Sequence, residues 1–213
     1  EEIVVVNKYI KKIVFRLYTV LEIIEANLDI LNEIPPSTPT VKYKWGRVPI
    51  HSEKECRIVA EEWLSDFKDE SEVLIGAKIG FPVICYDLKD NPGCYQFPII
   101  NMGVEVGYIG VDAMRLYPKM FGLGYLEMTL EEFKTKLETM KGQKATFDRY
   151  VPDAIEKVAE KNGLNKKDIT FVKLLCLAAN RGGNLYAMLR IIPTNKTVIV
   201  NLYSFDILTD RLT

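Results

Sequence analysis

Apolar residues recur at alternating steps of three and four along the N-terminal stretch: Ile3, Val6, Ile10, Ile13, Leu17, Val20, Ile24 and Leu31, with Asn27 as one polar interruption. That rhythm predicts one long amphipathic helix over residues 3–32, roughly 45 Å at 1.5 Å per residue. A second apolar row, Val14, Leu21 and Leu28, widens the stripe. Two uses fit such a face. It can pair with a second copy, giving a homodimer through residues 3–31, or it can lie on the protein's own sheet.

The period changes after residue 33. "IPPSTPTVKYKWGRVPI" (34–50) is Pro-rich and reads as an extended connection, because proline cannot continue the helix. Ser52 followed by Glu55 is a capping box, and Cys56, Val59, Ala60, Trp63, Leu64 and Phe67 then keep helical spacing. Strand patterns follow at 72–88, 94–100 and 104–113, joined through "KDNPG" and "NMG", which carry turn chemistry. Residues 115–128 look irregular. A second capping box, Thr129 with Glu132, opens another helix, and a further one spans about Phe147 to Lys161 and stops at "NG".

The tail reads as three more strands with turns at "NRGGN" and "PTNKT". Helix-then-three-strands therefore occurs twice, first ending at Asp112 and again at Asp206. The expected class is α+β: a long N-terminal helix plus two α-βββ antiparallel meander units. The expected divisions are 1–34 for the long helix and 35–50 for the connection. Residues 51–128 would form the first α-βββ unit, and 129–213 the second helical pair with its strands, all within one continuous domain or in separate ones.

Charge narrows the function classes. A formal net charge of -1, with no basic block, leaves no electrostatic footprint for nucleic acid. No run of about 18 apolar residues is free of charge, so no membrane span is expected in this chain. Four cysteines without a CxxC pair, and a single histidine, argue against a metal site, and no cofactor motif is present. A two-residue loop at Lys89-Asp90 would set Cys85 opposite Cys94, close enough for a disulfide or simply two reduced, buried thiols.

A thiol enzyme would need a histidine beside its cysteine, and His51 precedes Cys56 by five residues at a helix start. Cys56 also fits the helix's apolar rhythm, so burial is the preferred reading and no catalytic residue is assigned. The glycine pair at 182–183 is explained by a hairpin turn, with Arg181 beside it either as a solvated turn residue or as an anion contact. Tyr43 and Trp45 interleave with basic residues in "VKYKWGRV", either to stack a flat ligand or to plug the core edge.

Phe97, Pro98, Ile99, Gly103, Val106, Gly107, Gly110, Val111 and Asp112 form "FPIINMGVEVGYIGVD", which resembles the closing hairpin of Cache/PAS-like extracytoplasmic sensor domains. In amino-acid-binding members, an aspartate at the position of Asp112 takes the ligand's amine. The α-βββ order with a "VDA" strand end is also similar to PepSY-like and cystatin-like modules, which regulate or inhibit peptidases. From its local context alone, Asp112 reads as an N-cap for a following helix. Gly107 and Gly110 leave space beside Tyr108 for a backbone or a ligand. The expectation is thus a non-enzymatic ligand-sensing or regulatory module. Tyr95 and Tyr108 would form apolar walls, Asp112 would take a cation or amine, and Arg181 would hold an anion. The alternative is a protein-interaction module, a peptidase inhibitor or assembly subunit, with a protein partner.

Overall fold

The computed structural model describes residues 39–43, 46–114, 117–141, 146–176 and 185–208. The helix expected over 3–32, Trp45, and the turn carrying Arg181 lie outside the described residues. What is described is α+β, with three α-helices and a mostly antiparallel, mixed sheet.

The connection after residue 35 ends in a small hairpin, β1 (Thr40–Tyr43) against β2 (Gly46–Pro49). Helix α1 (Glu53–Phe67) starts at the expected capping box: the Ser52 side chain accepts from Glu55 N–H, and Glu55 returns to Ser52 N–H at 2.7 Å. Strands β3 (Lys78–Ile79), β4 (Val83–Tyr86), β5 (Pro92–Asn101) and β6 (Val104–Asp112) then build the first part of the sheet. The "NMG" turn holds Met102 and Gly103 at φ 48° and 79°, the left-handed pair that a tight hairpin needs.

The irregular segment is in fact a strand, β7 (Lys119–Tyr125), paired along β6. No helix follows Asp112, since the described neighbours at 113–114 and 117–118 are bend and coil before β7 begins. Helix α2 (Leu130–Lys141) opens on the Thr129–Glu132 capping box. Helix α3 (Thr146–Asn162) closes at Gly163, φ 62°, where Leu164 N–H reaches Ala159 and Gly163 N–H reaches Glu160. That doubled bond is the left-handed helix stop that "NG" signals. The meander β8 (Ile169–Cys176), β9 (Leu185–Ile191) and β10 (Lys196–Asn201) follows as expected.

All strands but β1 and β2 join one eight-stranded sheet, in the order β10-β9-β8-β4-β5-β6-β7 with β3 also on β5. The two groups of strands meet where β4 runs parallel to β8, with Tyr86 opposite Leu175. Alternation along β5 sets up two cores. Tyr95, Phe97 and Ile99, together with Ile109 and Val111, face α1 and Phe133 of α2. Cys94 belongs to a second core with Cys85, Leu189 and Val200 under Ala154 and Val158 of α3. The helices therefore cover opposite faces of the sheet, α1 and α2 on one and α3 on the other.

Candidate functional site

Of the expected site residues, Arg181 lies outside the described residues, and strand geometry divides the other three. Tyr95 pairs with Val111 and points into the α1 core, where its ring lies 6.1 Å from that of Phe97. Burial pushes its hydroxyl up to about 12. Tyr108 and Asp112 alternate with Ile109 and Val111 along β6, so they share the opposite face. The structure thus brings Tyr108 and Asp112 to one side of the sheet and Tyr95 to the other.

Asp112 is engaged locally. Its Oδ1 accepts the backbone N–H of Met114 at 2.9 Å, an Asx-type turn that leads the chain toward β7. The two strand glycines also have local reasons. A Cβ on Gly107 would collide with the backbone carbonyl of Gly124 and stand 2.9 Å from the Tyr125 Cα, so the space marks close approach of β7. A Cβ on Gly110 would lie 2.7 Å from Phe121 Cζ and 2.9 Å from Gln96 Nε2, so the room there is filled by those two side chains.

That second approach exposes a feature the pattern of β5 hints at but the sequence reading passed over. Gln96 is the lone polar side chain in "CYQFPII", 1% exposed, and its Oε1 has no hydrogen-bond partner among the described residues. A buried, unpaired amide oxygen costs about 1–3 kcal/mol, so it is rare without a use. Its surroundings are aromatic. Phe121 lies beside it over Gly110, and the Tyr108 ring lies over Gly124 on the same face. Tyr203 neighbours Tyr108 and stands 5.8 Å from Tyr150 of α3 at 60° between ring planes. Burial first, then Tyr108, raises the Tyr203 hydroxyl above the ordinary tyrosine range. A face of this kind offers flat apolar contact and one oriented acceptor.

The cysteine beside the histidine does not form a thiol–imidazole pair. Cys56 is sealed in the α1 core, and burial, helped by Glu55 and Asp112, pushes its thiol up to about 12. The His51 ring instead faces Glu55, Nδ1 to Oε1 at 3.5 Å, and its backbone N–H binds Ala113. Cys85 and Cys94 do stand opposite each other, as expected, and both are free thiols. The connection differs in detail: Asp87 Oδ1 accepts from Lys89 and Asn91 N–H, both at 2.8 Å, and a bulge after Cys85 restores the register.

Among the described residues, no group of three or more His, Cys, Asp or Glu is placed to hold a metal ion, and no helix is long and apolar enough to cross a membrane. No family model, curated protein or solved structure matches this chain.

Proposed function

We infer that this chain is a non-enzymatic ligand-sensing or regulatory module that binds a small molecule on the sheet face carrying Gln96, Tyr108 and Asp112. The observation that carries this reading is the Gln96 amide oxygen, buried and unpaired among aromatic rings. Once Phe121 turns aside from over Gly110, a ligand with an N–H or O–H donor on a flat apolar body would satisfy that acceptor and stack on Phe121 or Tyr108. The sensor-like hairpin and the coiled-coil-like seam at 3–31 accord with it, the seam serving self-association.

The test is a thermal-shift screen with amino acids, carboxylates, polyamines and nucleotides, run in parallel on the native chain and on Gln96→Leu. A ligand at 100 times its Kd adds about 2.7 kcal/mol to the folded state. A hit that vanishes in Gln96→Leu supports the reading; a panel without effect on the native chain overturns it.

A second reading is favoured by a different margin of the molecule. Phe81, between β3 and β4, is 91% exposed, and Ile75 and Met102 are half-exposed near the same end of β5, where Asn101 Nδ2 binds the Ile75 carbonyl at 3.2 Å. Exposed large apolar side chains suit a protein partner. Phe81→Ser would then abolish capture of that partner and leave the thermal-shift response intact.

A further inference from the structure

Three of the four cysteines converge on one point of the sheet. Cys85 of β4 and Cys94 of β5 are register partners. Cys176 is the last residue of β8, one step beyond the Leu175–Tyr86 pair that joins that strand to β4. A Cβ placed on Gly93 would touch the Cys176 Cβ at 3.5 Å, so Cys176 lies against the β5 backbone beside Cys94. Cys94 thus has Cys85 as its cross-strand partner and Cys176 beside its own backbone, and all three belong to the core under α3. Access differs among them: Cys85 and Cys94 are fully buried, whereas Cys176 is half-buried at its strand end.

We propose that Cys176 and Cys94 form a reversible dithiol–disulfide site whose oxidant is hydrogen peroxide. The Cys176 sulfur, as thiolate, attacks one peroxide oxygen. The O–O bond breaks, and the departing hydroxide takes up a proton as water. Cys176 is left as the sulfenic acid. The Cys94 sulfur then attacks the Cys176 sulfur, the S–O bond breaks, and hydroxide leaves with the Cys94 proton as a second water. Two thiols and one peroxide become one disulfide and two waters; the sulfurs are oxidised and the peroxide oxygens reduced. A small dithiol restores both cysteines by exchange.

The division of roles follows from burial and contact. Peroxide meets Cys176 first, because the other two thiols are sealed. Cys94 resolves, because Cys176 lies against the β5 backbone beside it, in the same core cluster. Its contacts with Cys176 and then Cys85, and its burial, hold Cys94 protonated and unreactive until a sulfenic sulfur appears beside it. The resulting bond would staple β5 to β8, on either side of the narrow β4–β8 seam.

The experiment is peptide mapping of the reduced full chain after hydrogen peroxide treatment and alkylation of remaining thiols. The expected product is a Cys94–Cys176 linked peptide, lost on dithiothreitol treatment. Cys94→Ser should stop at a sulfenic acid on Cys176 that dimedone traps, and Cys85→Ser should leave the link in place. Conversion of Cys176 to the sulfinic acid with Cys94 still free would overturn the proposal. So would a Cys85–Cys94 link as the main product. The map of the native chain decides the matter even where a serine variant fails to fold.

Discussion

Lys173 of β8 reaches across the seam of the sheet to Asp90, in the turn between β4 and β5, and its ammonium also donates to the Asp87 carbonyl at 3.3 Å. The seam needs such a tie. Tyr86–Leu175 is its single registered pair, whereas β5 and β6 pair along their whole length. Lys173 is 14% exposed and Asp90 79%, so the lysine end is shielded and the carboxylate end is wet.

Lys173→Met keeps the aliphatic stem and removes the charge. The expected loss is on the order of 1 kcal/mol, since one partner is solvated and the other contact is a single hydrogen bond. Urea denaturation at low and high salt measures it. The gap between native and variant should narrow as salt screens the pair, and a gap independent of salt would assign the loss to packing.

The glycines of β6 give an ordered pair of costs. At Gly107 the added methyl meets the backbone of β7, which cannot move without breaking the β6–β7 pairing. At Gly110 it meets the Phe121 ring and the Gln96 amide, both side chains that can turn aside. Both alanine variants should destabilise, by about 1–3 kcal/mol as overpacking does, with Gly107→Ala the worse. Phe121→Leu in the Gly110→Ala background should recover part of the loss, and chemical denaturation of the four proteins would show it. Equal costs at the two positions would refute the distinction.

These glycines also mark where the sequence was legible and where it was not. Signals that act within a few residues were readable: both capping boxes, the "NG" helix stop, the "NMG" hairpin and the opposition of Cys85 and Cys94. Strand β7 was not, because Gly122 and Gly124 look like loop chemistry until β6 supplies Gly110 and Tyr108 across from them. The parallel β4–β8 seam depends on residues far apart in the chain, and no local pattern encodes it. The same distance hid the site. Alternation along β5 and β6 could have separated Tyr95 from Tyr108, but only the fold brings Phe121 and Tyr203 to the face of Gln96.

Gln96→Leu should make the protein more stable in the absence of ligand. It replaces a buried acceptor that has no partner with an apolar group of similar length, a gain of about 1 kcal/mol. The same variant should lose any ligand response. Stability and binding moving in opposite directions is the signature of a polar group retained for function. A large destabilisation instead would show that the amide holds the β5–β6 face together.

Alkaline pH should unfold the protein in a defined window. Cys56 and Tyr95 ordinarily titrate near 9.0 and 10.0, and burial in the α1 core pushes each to about 12 in the folded chain. Both groups are neutral when protonated, so the folded state binds those protons more tightly than the unfolded state does. Their contribution is therefore fully present below pH 9.0 and is lost progressively as pH rises toward about 12. Urea midpoints measured across this range should fall steadily. Tyr95→Phe keeps the ring against Phe97 but cannot ionise, so its midpoint should fall less steeply above pH 10.0 than the native one. Parallel curves for the two proteins would mean that Tyr95 escapes the core before it loses its proton.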